Sequence, residues 1–349
     1  MPDYRHLLAM TDENGLLQFS RKSSPDLRSG YTLDDNARAL LVSLHMEDDS
    51  SDYYKKLFLN YLEKSRAANG TWSNFLLDGR YYSRFDSEDS VARALMACSA
   101  ATLSTNPEIR KRAGSLFINN IKTARGFSSP RAVANSLIAL CKAQVPEFEK
   151  IRSELVDSLS EHLLSLYSQT KSPNWLWFED YMTYCNASLP QSLLCVYSFN
   201  GNKLCLQAGY DTLGFLTDIL FRKGYLNVIG NKGWSFRNRP MACFDQQPVD
   251  AASIAFACQE AYHALGRKEY RDFVTLAYRW YHGENINKIP LYDPVTGGCY
   301  DALTPDGVNL NQGAESTLSL IFTTILFNGR LGPDFQTIRK KGSATTLHL

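Results

Sequence analysis

The strongest constraint on the fold is a motif that recurs six times, in which small residues precede an aliphatic run. The copies are LDDNARALLVSL, EDSVARALMACS, SPRAVANSLIALC, NASLPQSLLCVYS, PVDAASIAFACQEA and QGAESTLSLIFTTI. The first large apolar residue of each copy, its anchor, is Leu40, Leu95, Leu137, Leu193, Phe256 and Leu318. These spacings suit a helix, a turn, a second helix and a loop, so the sequence predicts repeated helical hairpins.

Two kinds of helix alternate along the chain. The six repeats are apolar almost all round, which is typical of helices buried on most of their surface. The intervening segments carry charged residues and Leu, Tyr or Phe at helical spacing, which predicts one wet face. They cover 52–66, 107–122, 147–168, 209–223 and 267–282. A buried inner ring inside an amphipathic outer ring is an all-α (α/α)6 toroid.

The same hairpins could also stack as an open solenoid. We favour the closed ring, because closure leaves no exposed hydrophobic end and neither terminus resembles a polar capping repeat. We therefore assign residues 1–335 to a single toroid domain. Residues 336–349 are expected to form a poorly ordered C-terminal tail.

Composition excludes several classes of ligand. The formal net charge is +1, which provides no basic field for nucleic acid. No apolar run approaches the ~20 residues that span a bilayer, so no membrane association is expected. The first residues, MPDYRHLLAMTDENG, lack a secretory pattern, which favours a cytoplasmic location. The eight cysteines lack metal-site spacing, so we expect buried free thiols, no metal and no cofactor.

Long irregular loops precede the inner helices, at 69–88, 170–186, 229–248 and 285–312. Within them, NGTWSNF, NWLWFEDY, NKGWSFRN and TGGCYDAL echo one another and predict short hairpins at one rim of the ring. Four of the five tryptophans lie in these loops. Long ordered loops at one end of a rigid scaffold commonly carry function.

Carboxylates concentrate where the inner helices begin. Six residues before the anchors stand Asp34, Asp89, Arg131, Ala187, Asp250 and Gln312. Aspartate is a favoured N-cap, and capping alone accounts for one or two of these residues. It does not account for the adjacent Asp34 and Asp35, because crowded like charges repel each other. The pattern therefore predicts a functional carboxylate cluster.

Such a cluster suits glycoside hydrolysis, which needs one protonated and one ionised carboxyl group. Helix N-termini favour the ionised form of Asp34, Asp35, Asp89 and Asp250, as a base or nucleophile requires. A carboxyl group in an aromatic loop suits the acid role, because burial disfavours its charged form. The candidates of that kind are Glu179, Asp180 and Asp245.

Further residues could bind substrate. Arg38, Arg93, Asn135 and Gln191 each stand two residues before an anchor, so they should face the lumen and either pair with acids or bind ligand hydroxyls. Rim aromatics could stack on sugar rings or simply pack the loops. The binding candidates are Arg38, Trp72, Asp86, Glu88, Arg93, Trp175, Trp177, Tyr181, Trp234, Gln246, Gln247, Gln312 and Glu315.

Three segments carry a family resemblance: GYTLDDNARAL, FDQQPVDAASIAFACQEAY and NLNQGAESTLSL. They resemble a bacterial family of six-hairpin glycosidase-like proteins associated with glycosyltransferases and encoded near mannoside-processing genes. The resemblance spans about residues 5–330 and implies an oligosaccharide substrate, such as a mannoside. It also implies a functional association with a glycosyltransferase or a glycoside phosphorylase. Endo-mannanases of this fold class use an adjacent Asp-Asp pair, to which Asp34-Asp35 is similar, although theirs lies on a later inner helix.

Two other functions remain open. A non-catalytic glycan-binding module would have its acids consumed by Arg38, Arg93 and Arg131, whereas a hydrolase needs two carboxylates facing one cleft. A sugar epimerase or isomerase would use histidines in the lumen as acid and base. None of the six histidines lies where an inner helix begins, so we favour a glycoside hydrolase.

Overall fold

The structure is a computed structural model that describes residues 1–47, 50–66, 71–84 and 87–329. Its α-helices are Arg5–Ala9 (α1), Leu33–Ser43 (α2), Ser51–Lys64 (α3), Glu88–Ala101 (α4), Pro107–Asn120 (α5), Pro130–Lys142 (α6), Glu149–Thr170 (α7), Ser188–Asn200 (α8), Lys203–Leu220 (α9), Pro248–Leu265 (α10), Glu269–Tyr281 (α11) and Ala314–Phe327 (α12). The expected tail, 336–349, and the binding candidate Asp86 lie outside the described residues.

The even-numbered helices form the inner ring. Each packs against the next, and α12 packs against α2, which closes the ring. Five of the six anchors, all leucines, are fully buried, whereas Phe256 is half-buried because it faces the lumen. The predicted (α/α)6 toroid is confirmed. None of the described helices is both long and apolar enough to cross a membrane.

The outer ring consists of α3, α5, α7, α9 and α11, each packed against the inner helix that precedes it in the chain. The short helix α1 packs against α12 and takes the sixth outer position. Helix α9 begins six residues before the predicted 209, because the side chain of Asn202 caps it by accepting from the N–H groups of Leu204 and Cys205. Asparagine is among the preferred N-cap residues.

Three of the six inner helices are capped by hydroxyl side chains rather than by the candidate acids. Thr32 caps α2, Ser87 caps α4 and Ser129 caps α6, each accepting a backbone N–H bond in the first turn. Asp34 and Asp250 lie inside the first turns of α2 and α10. Capping therefore leaves the carboxylates of Asp34 and Asp250 free for other contacts.

Short strands cover the rim where the inner helices begin. Tyr31–Thr32 (β5), Phe75–Leu77 (β6) and Arg80–Tyr82 (β7) form one antiparallel sheet. Ala302–Thr304 (β10) and Gly307–Asn309 (β11) form a hairpin, as predicted. The loops NWLWFEDY and NKGWSFRN do not form separate hairpins as predicted. Instead, the strand Tyr181–Met182 (β8), at the end of the first loop, pairs with Ser235–Phe236 (β9) of the second. Nearer the N-terminus, Thr11–Asp12 (β1) pairs with Gly15–Leu16 (β2), and Ser20–Arg21 (β3) with Ser24–Pro25 (β4).

Candidate active site

One buried arginine gathers three acids at the mouth of the ring. Nη1 of Arg38 lies 2.8 Å from Asp35 Oδ1 and 3.1 Å from Asp34 Oδ2, and its Nη2 lies 2.6 Å from Glu315 Oε2. Glu315 belongs to α12, so this contact also bridges α2 and α12. We call Asp34, Asp35, Asp250 and Glu315 the acidic rim.

The single guanidinium does not neutralise three carboxylates. Burial and the charge of Asp34 raise the pKa of Asp35 to about 7, although Arg38 acts in the opposite direction. Burial also acts to raise the pKa of Asp34, but Arg38 and Arg93 outweigh it and hold that pKa below its usual value. The adjacent pair therefore shares its charge unequally, with the more exposed Asp34 ionised and Asp35 close to half-protonated at neutral pH.

Asp250 is the second acid with a strongly raised pKa. Its Oδ1 accepts a 2.6 Å hydrogen bond from the backbone N–H of Cys185, and its buried Oδ2 has no hydrogen-bond partner in the described part of the chain. Burial raises the pKa of Asp250 to about 7, and the negative charge of Glu315 acts in the same direction. The sequence analysis predicted that Asp35 and Asp250 are ionised, because helix N-termini favour negative charge. At both residues the effect of burial on the pKa outweighs that of the helix.

The loop that carries Cys185 is fixed by Arg131. This arginine donates to the carbonyl of Tyr184 at 2.6 Å, to Asn186 at 3.1 Å and to Glu179 Oε2 at 3.0 Å. Glu179, expected as a proton donor, is thus ion-paired with a buried guanidinium. Cys185 itself has φ 46°, an uncommon conformation for a residue with a side chain, and its Sγ lies 3.5 Å from Arg93 Nη2.

Asp89 has two hydroxyl partners at the same rim. Tyr184 donates to its Oδ2 at 2.5 Å, and Ser129 donates to its Oδ1 at 3.1 Å. Sequence reasoning missed Tyr184, because nothing in the repeat register marks a loop tyrosine. Glu88 accepts backbone N–H bonds from residues 128 and 129, which positions the start of α6.

A further acid, the half-buried Asp301, was also missed. Its Oδ1 accepts a 2.7 Å bond from the N–H of Gly313, just before α12. Burial raises the pKa of Asp301. Asp301 lies in the TGGCYDAL loop, away from the positions where inner helices begin, so the spacing of the repeats did not mark it.

The glutamine candidates for substrate binding mainly hydrogen-bond other parts of the fold instead. Gln246 is fully buried, donating to Asn227 and accepting from Trp280. Gln312 donates to Asp293 at 2.8 Å and accepts from a threonine hydroxyl. Gln247 is half-buried just before α10.

Two candidate loop acids form ion pairs. The side chain of Asp180 is 73% exposed and pairs with Arg237. Asp245 pairs with Lys232 at 3.3 Å.

The rim aromatics divide into two groups. Trp72 donates to Asn120, Trp175 donates to the carbonyl of Glu179, and Trp177 is fully buried, so these three pack loops onto the ring. Tyr181 and Phe236 are 39% and 40% exposed, with ring centroids 6.1 Å apart on paired strands. Trp234 is half-buried, and its ring centroid lies 6.5 Å from that of Tyr184.

Beneath the acidic rim, the inner helices line a cavity of about 110 Å³, which we call the lumen cavity. Arg38, Arg93, Asn135 and Gln191 line it. Towards the C-terminal ends of the inner helices its lining includes Lys142, Glu260, His45 and His263. The sequence analysis found no histidine where an inner helix begins, and the structure places His45 and His263 at the other end of the lumen. The described residues contain no group of three or more His, Cys, Asp or Glu side chains arranged to hold a metal ion.

No family model matches the sequence, and no curated protein sequence matches it. Among solved structures, a sugar epimerase from a ruminal bacterium superposes with a TM-score of 0.67 and 13% identity, over 93% of this chain and 95% of that one. A cellobiose 2-epimerase from Spirochaeta thermophila gives a TM-score of 0.67 and 13% identity, over 93% of each chain.

A glycoside hydrolase family 76 α-mannanase from Bacteroides thetaiotaomicron gives a TM-score of 0.61 and 13% identity, over 86% of this chain and 87% of that one. At such identities the three similarities establish a shared fold. The reaction has to be argued from the residues of the rim.

Proposed function

We propose that this chain is a carbohydrate-active enzyme, a glycoside hydrolase that cleaves an oligosaccharide at the acidic rim. One observation carries the proposal: the rim combines a buried, protonatable carboxyl group, Asp250, with a partly exposed carboxylate, Glu315. The side chain of Glu315 is 43% exposed and is held by Arg38, whereas Oδ2 of Asp250 is shielded from water. Two carboxyl groups in unlike environments are the acid and base that glycoside hydrolysis requires.

In this mechanism Asp250 is the proton donor. It gives its proton to the glycosidic oxygen as the bond from that oxygen to C1 breaks, and the leaving sugar departs as an alcohol. On the opposite side of C1, Glu315 takes a proton from a water molecule as the oxygen of that water bonds to C1, so one glycosidic bond and one water give two free sugars. Arg38 orients Glu315, and the hydrogen bond from Cys185 holds Asp250 by its other oxygen. Because Oδ2 is shielded, substrate binding has to uncover it.

The exposed rings of Tyr181 and Phe236 provide the binding surface for the sugar chain. Aromatic faces stack on the C–H faces of sugars, and this pair stands on a two-stranded sheet above the ring. A mannose-containing oligosaccharide is the first substrate to test, since one similar structure is an α-mannanase and another is a D-mannose isomerase.

The test is incubation of the full chain with manno- and gluco-oligosaccharides, followed by mass spectrometry of the products. We expect hydrolysis by the wild type and its loss in Asp250→Asn and Glu315→Gln. Asp218→Asn, the same change at an exposed position on an outer helix, is the matched control and should retain activity.

Two outcomes would contradict the hydrolase. Conversion of a sugar to an isomer of unchanged mass would identify an epimerase or isomerase. Saturable binding of a glycan without any turnover would identify a binding module.

A further inference from the structure

Three polar side chains line the lumen about one helical turn below the acidic rim. Arg93, Asn135 and Gln191 each stand two residues before the anchor of their helix, and all three line the lumen cavity. Their helices, α4, α6 and α8, are consecutive in the inner ring, and each packs against the next. We call these three residues the polar layer. The repeat thus presents three polar groups to one stretch of the lumen wall.

The guanidinium of Arg93 forms no ion pair with an acid of the described part of the chain. Its hydrogen bond there runs from Nη2 to Sγ of Cys185, at 3.5 Å, and a thiol sulfur is a weak acceptor. The rim acids Asp34 and Glu315 are ion-paired with Arg38 instead. Their charges act on Arg93 at longer range. Most of the five N–H groups of Arg93 are therefore available to a ligand.

The two amides of the polar layer are also without partners. The residues Asn135 and Gln191 are only 5% and 8% exposed. Neither side chain forms a hydrogen bond to another of the described residues, although both line the cavity. Buried side-chain amides are nearly always hydrogen-bonded in folded proteins. A group that enters the cavity can supply the missing partners.

The polar layer contains more hydrogen-bond donors than acceptors. The guanidinium of Arg93 has five N–H donors and no acceptor, and each amide has two N–H donors and one carbonyl oxygen. A carboxylate only accepts hydrogen bonds, and it pairs with a guanidinium through two parallel, charge-assisted bonds. A sugar hydroxyl would leave the charge of Arg93 uncompensated. The donor set therefore favours a carboxylate over a hydroxyl group.

The polar layer lies close to the proposed proton donor. Side chains on a helix lean towards its N-terminus, so the guanidinium of Arg93 extends towards the rim. Cys185 links the two sites, since its Sγ contacts Arg93 and its N–H lies 2.6 Å from Asp250 Oδ1. The cavity of about 110 Å³ far exceeds the ~10–15 Å³ that one water needs. It therefore admits the three heavy atoms of a carboxylate while the sugar ring stays at the rim.

The rim can tolerate this additional negative charge. Asp34 and Glu315 are each held by Arg38, and burial raises the pKa of Asp250 to about 7, so that Asp250 is largely neutral below this pH. A carboxylate bound beside Asp250 favours its protonated form further, because like charges repel each other. That form is the one from which the proposed mechanism donates a proton.

We propose that the polar layer binds the carboxylate of a uronic acid unit, so that the substrate is an acidic oligosaccharide. Arg93 pairs with the carboxylate, and the amides of Asn135 and Gln191 donate to its oxygens. The proposal rests on the proposed hydrolase for the reaction that follows, whereas the binding step is measured without turnover.

The experiment compares matched pairs of sugars that differ in the group at C6. One pair is the β-1,4-linked trisaccharide of mannuronate and β-1,4-mannotriose, and the other is the β-1,4-linked trisaccharide of glucuronate and cellotriose. Each is titrated into the full chain by calorimetry. We expect at least one uronate to bind about tenfold or more tightly than its neutral partner. Absence of binding, or no preference for either uronate, overturns the proposal.

Variants of the polar layer locate the carboxylate. Arg93→Gln removes the charge and should abolish the preference for the uronate, whereas Arg93→Lys keeps the charge and should retain part of it. Arg222→Gln, at an exposed position just after α9, is the matched control and should bind as the wild type does. An unchanged preference in Arg93→Gln overturns the proposal.

A second position decides the question if Arg93→Gln does not fold. Asn135→Ala should weaken binding of the uronate severalfold, and unaltered binding in this variant overturns the proposal. Preferential binding of a uronate that is never hydrolysed would contradict only the proposed hydrolase. Hydrolysis of neutral oligosaccharides without any preference for the uronates would contradict only the uronic acid site.

Discussion

The backbone N–H of Cys185 donates a 2.6 Å hydrogen bond to Oδ1 of Asp250, joining a rim loop to a helix 65 residues later in the chain. The bond fixes one oxygen of this carboxyl group and leaves the other buried and unpartnered. A proton is therefore retained most readily on Oδ2. The proposed catalytic role of Asp250 depends on this asymmetry.

Asp250→Asn should lower kcat for oligosaccharides by about 10²–10⁴-fold, because it removes the general acid. Aryl glycosides with acidic leaving groups should lose far less activity, since their departure needs little protonation. The measurement is kcat for both substrate types, with Asp218→Asn as the control. Equal losses on both substrates would contradict a proton-donor role.

Activity should also fall as the pH rises through about 7, where Asp250 loses its proton. A plot of kcat/KM against pH shows this descending limb in the free enzyme. In Asp250→Asn the residual activity on aryl glycosides should lack that limb. A limb that persists unchanged in the variant would assign the titration to another group.

The stability of the wild type should decline between about pH 4 and pH 7. Burial raises the pKa of Asp250 from 3.8 to about 7, so over this interval the folded state binds more protons than the unfolded state. The stabilisation is complete at low pH and is lost as Asp250 ionises; Asp35 contributes in the same direction. Urea unfolding at several pH values should show a shallower decline for Asp250→Asn, and a parallel decline would argue against the raised pKa.

Arg38→Met should destabilise the fold by about 3–5 kcal/mol, because it leaves buried carboxylates without their counterion. Lower pH should recover part of this loss by protonating them. Arg125→Met, which removes an exposed ion pair with Glu154, should cost about 1 kcal/mol or less. Urea unfolding of the two variants measures how much stability each one loses. Equal losses would mean that Arg38 does not stabilise the carboxylates of the acidic rim.

Tyr181→Ala should raise KM for oligosaccharides severalfold and leave the free energy of unfolding nearly unchanged, because this ring is exposed. Tyr53→Ala removes an exposed ring from the start of α3 and should change neither quantity. An unaltered KM in Tyr181→Ala would move the sugar-binding surface elsewhere.

The ring of helices could be predicted from the sequence, because buried helices produce a recurring pattern of apolar residues. The anchors from Leu40 to Leu318 mark helices that are apolar all round, and such helices need neighbours on every side. The register also predicted that Asp34 and Asp250 stand where inner helices begin. The raised pKa of Asp250 could not be predicted, because burial depends on loops that fold over the rim.

Side-chain partners remote in sequence were beyond prediction. Gln246 and Gln312 resemble site residues by position, yet their partners Trp280 and Asp293 lie on segments that no spacing connects to them. Glu179 resembles a free loop acid until Arg131, on another helix, is placed beside it. The spacing of the repeats places a residue on a helix or loop. What its side chain contacts is determined only when the loops have folded.

The contact between Arg38 and Glu315 spans 277 residues and lies at the seam where the first and last inner helices meet. During synthesis the ribosome releases α2 long before α12, so this seam stays open until nearly all the described chain has emerged. Arg38 then holds only its neighbours Asp34 and Asp35. Completion of the ring and arrival of Glu315 are one event, so the proposed hydrolase activity requires a chain that has been synthesised through α12.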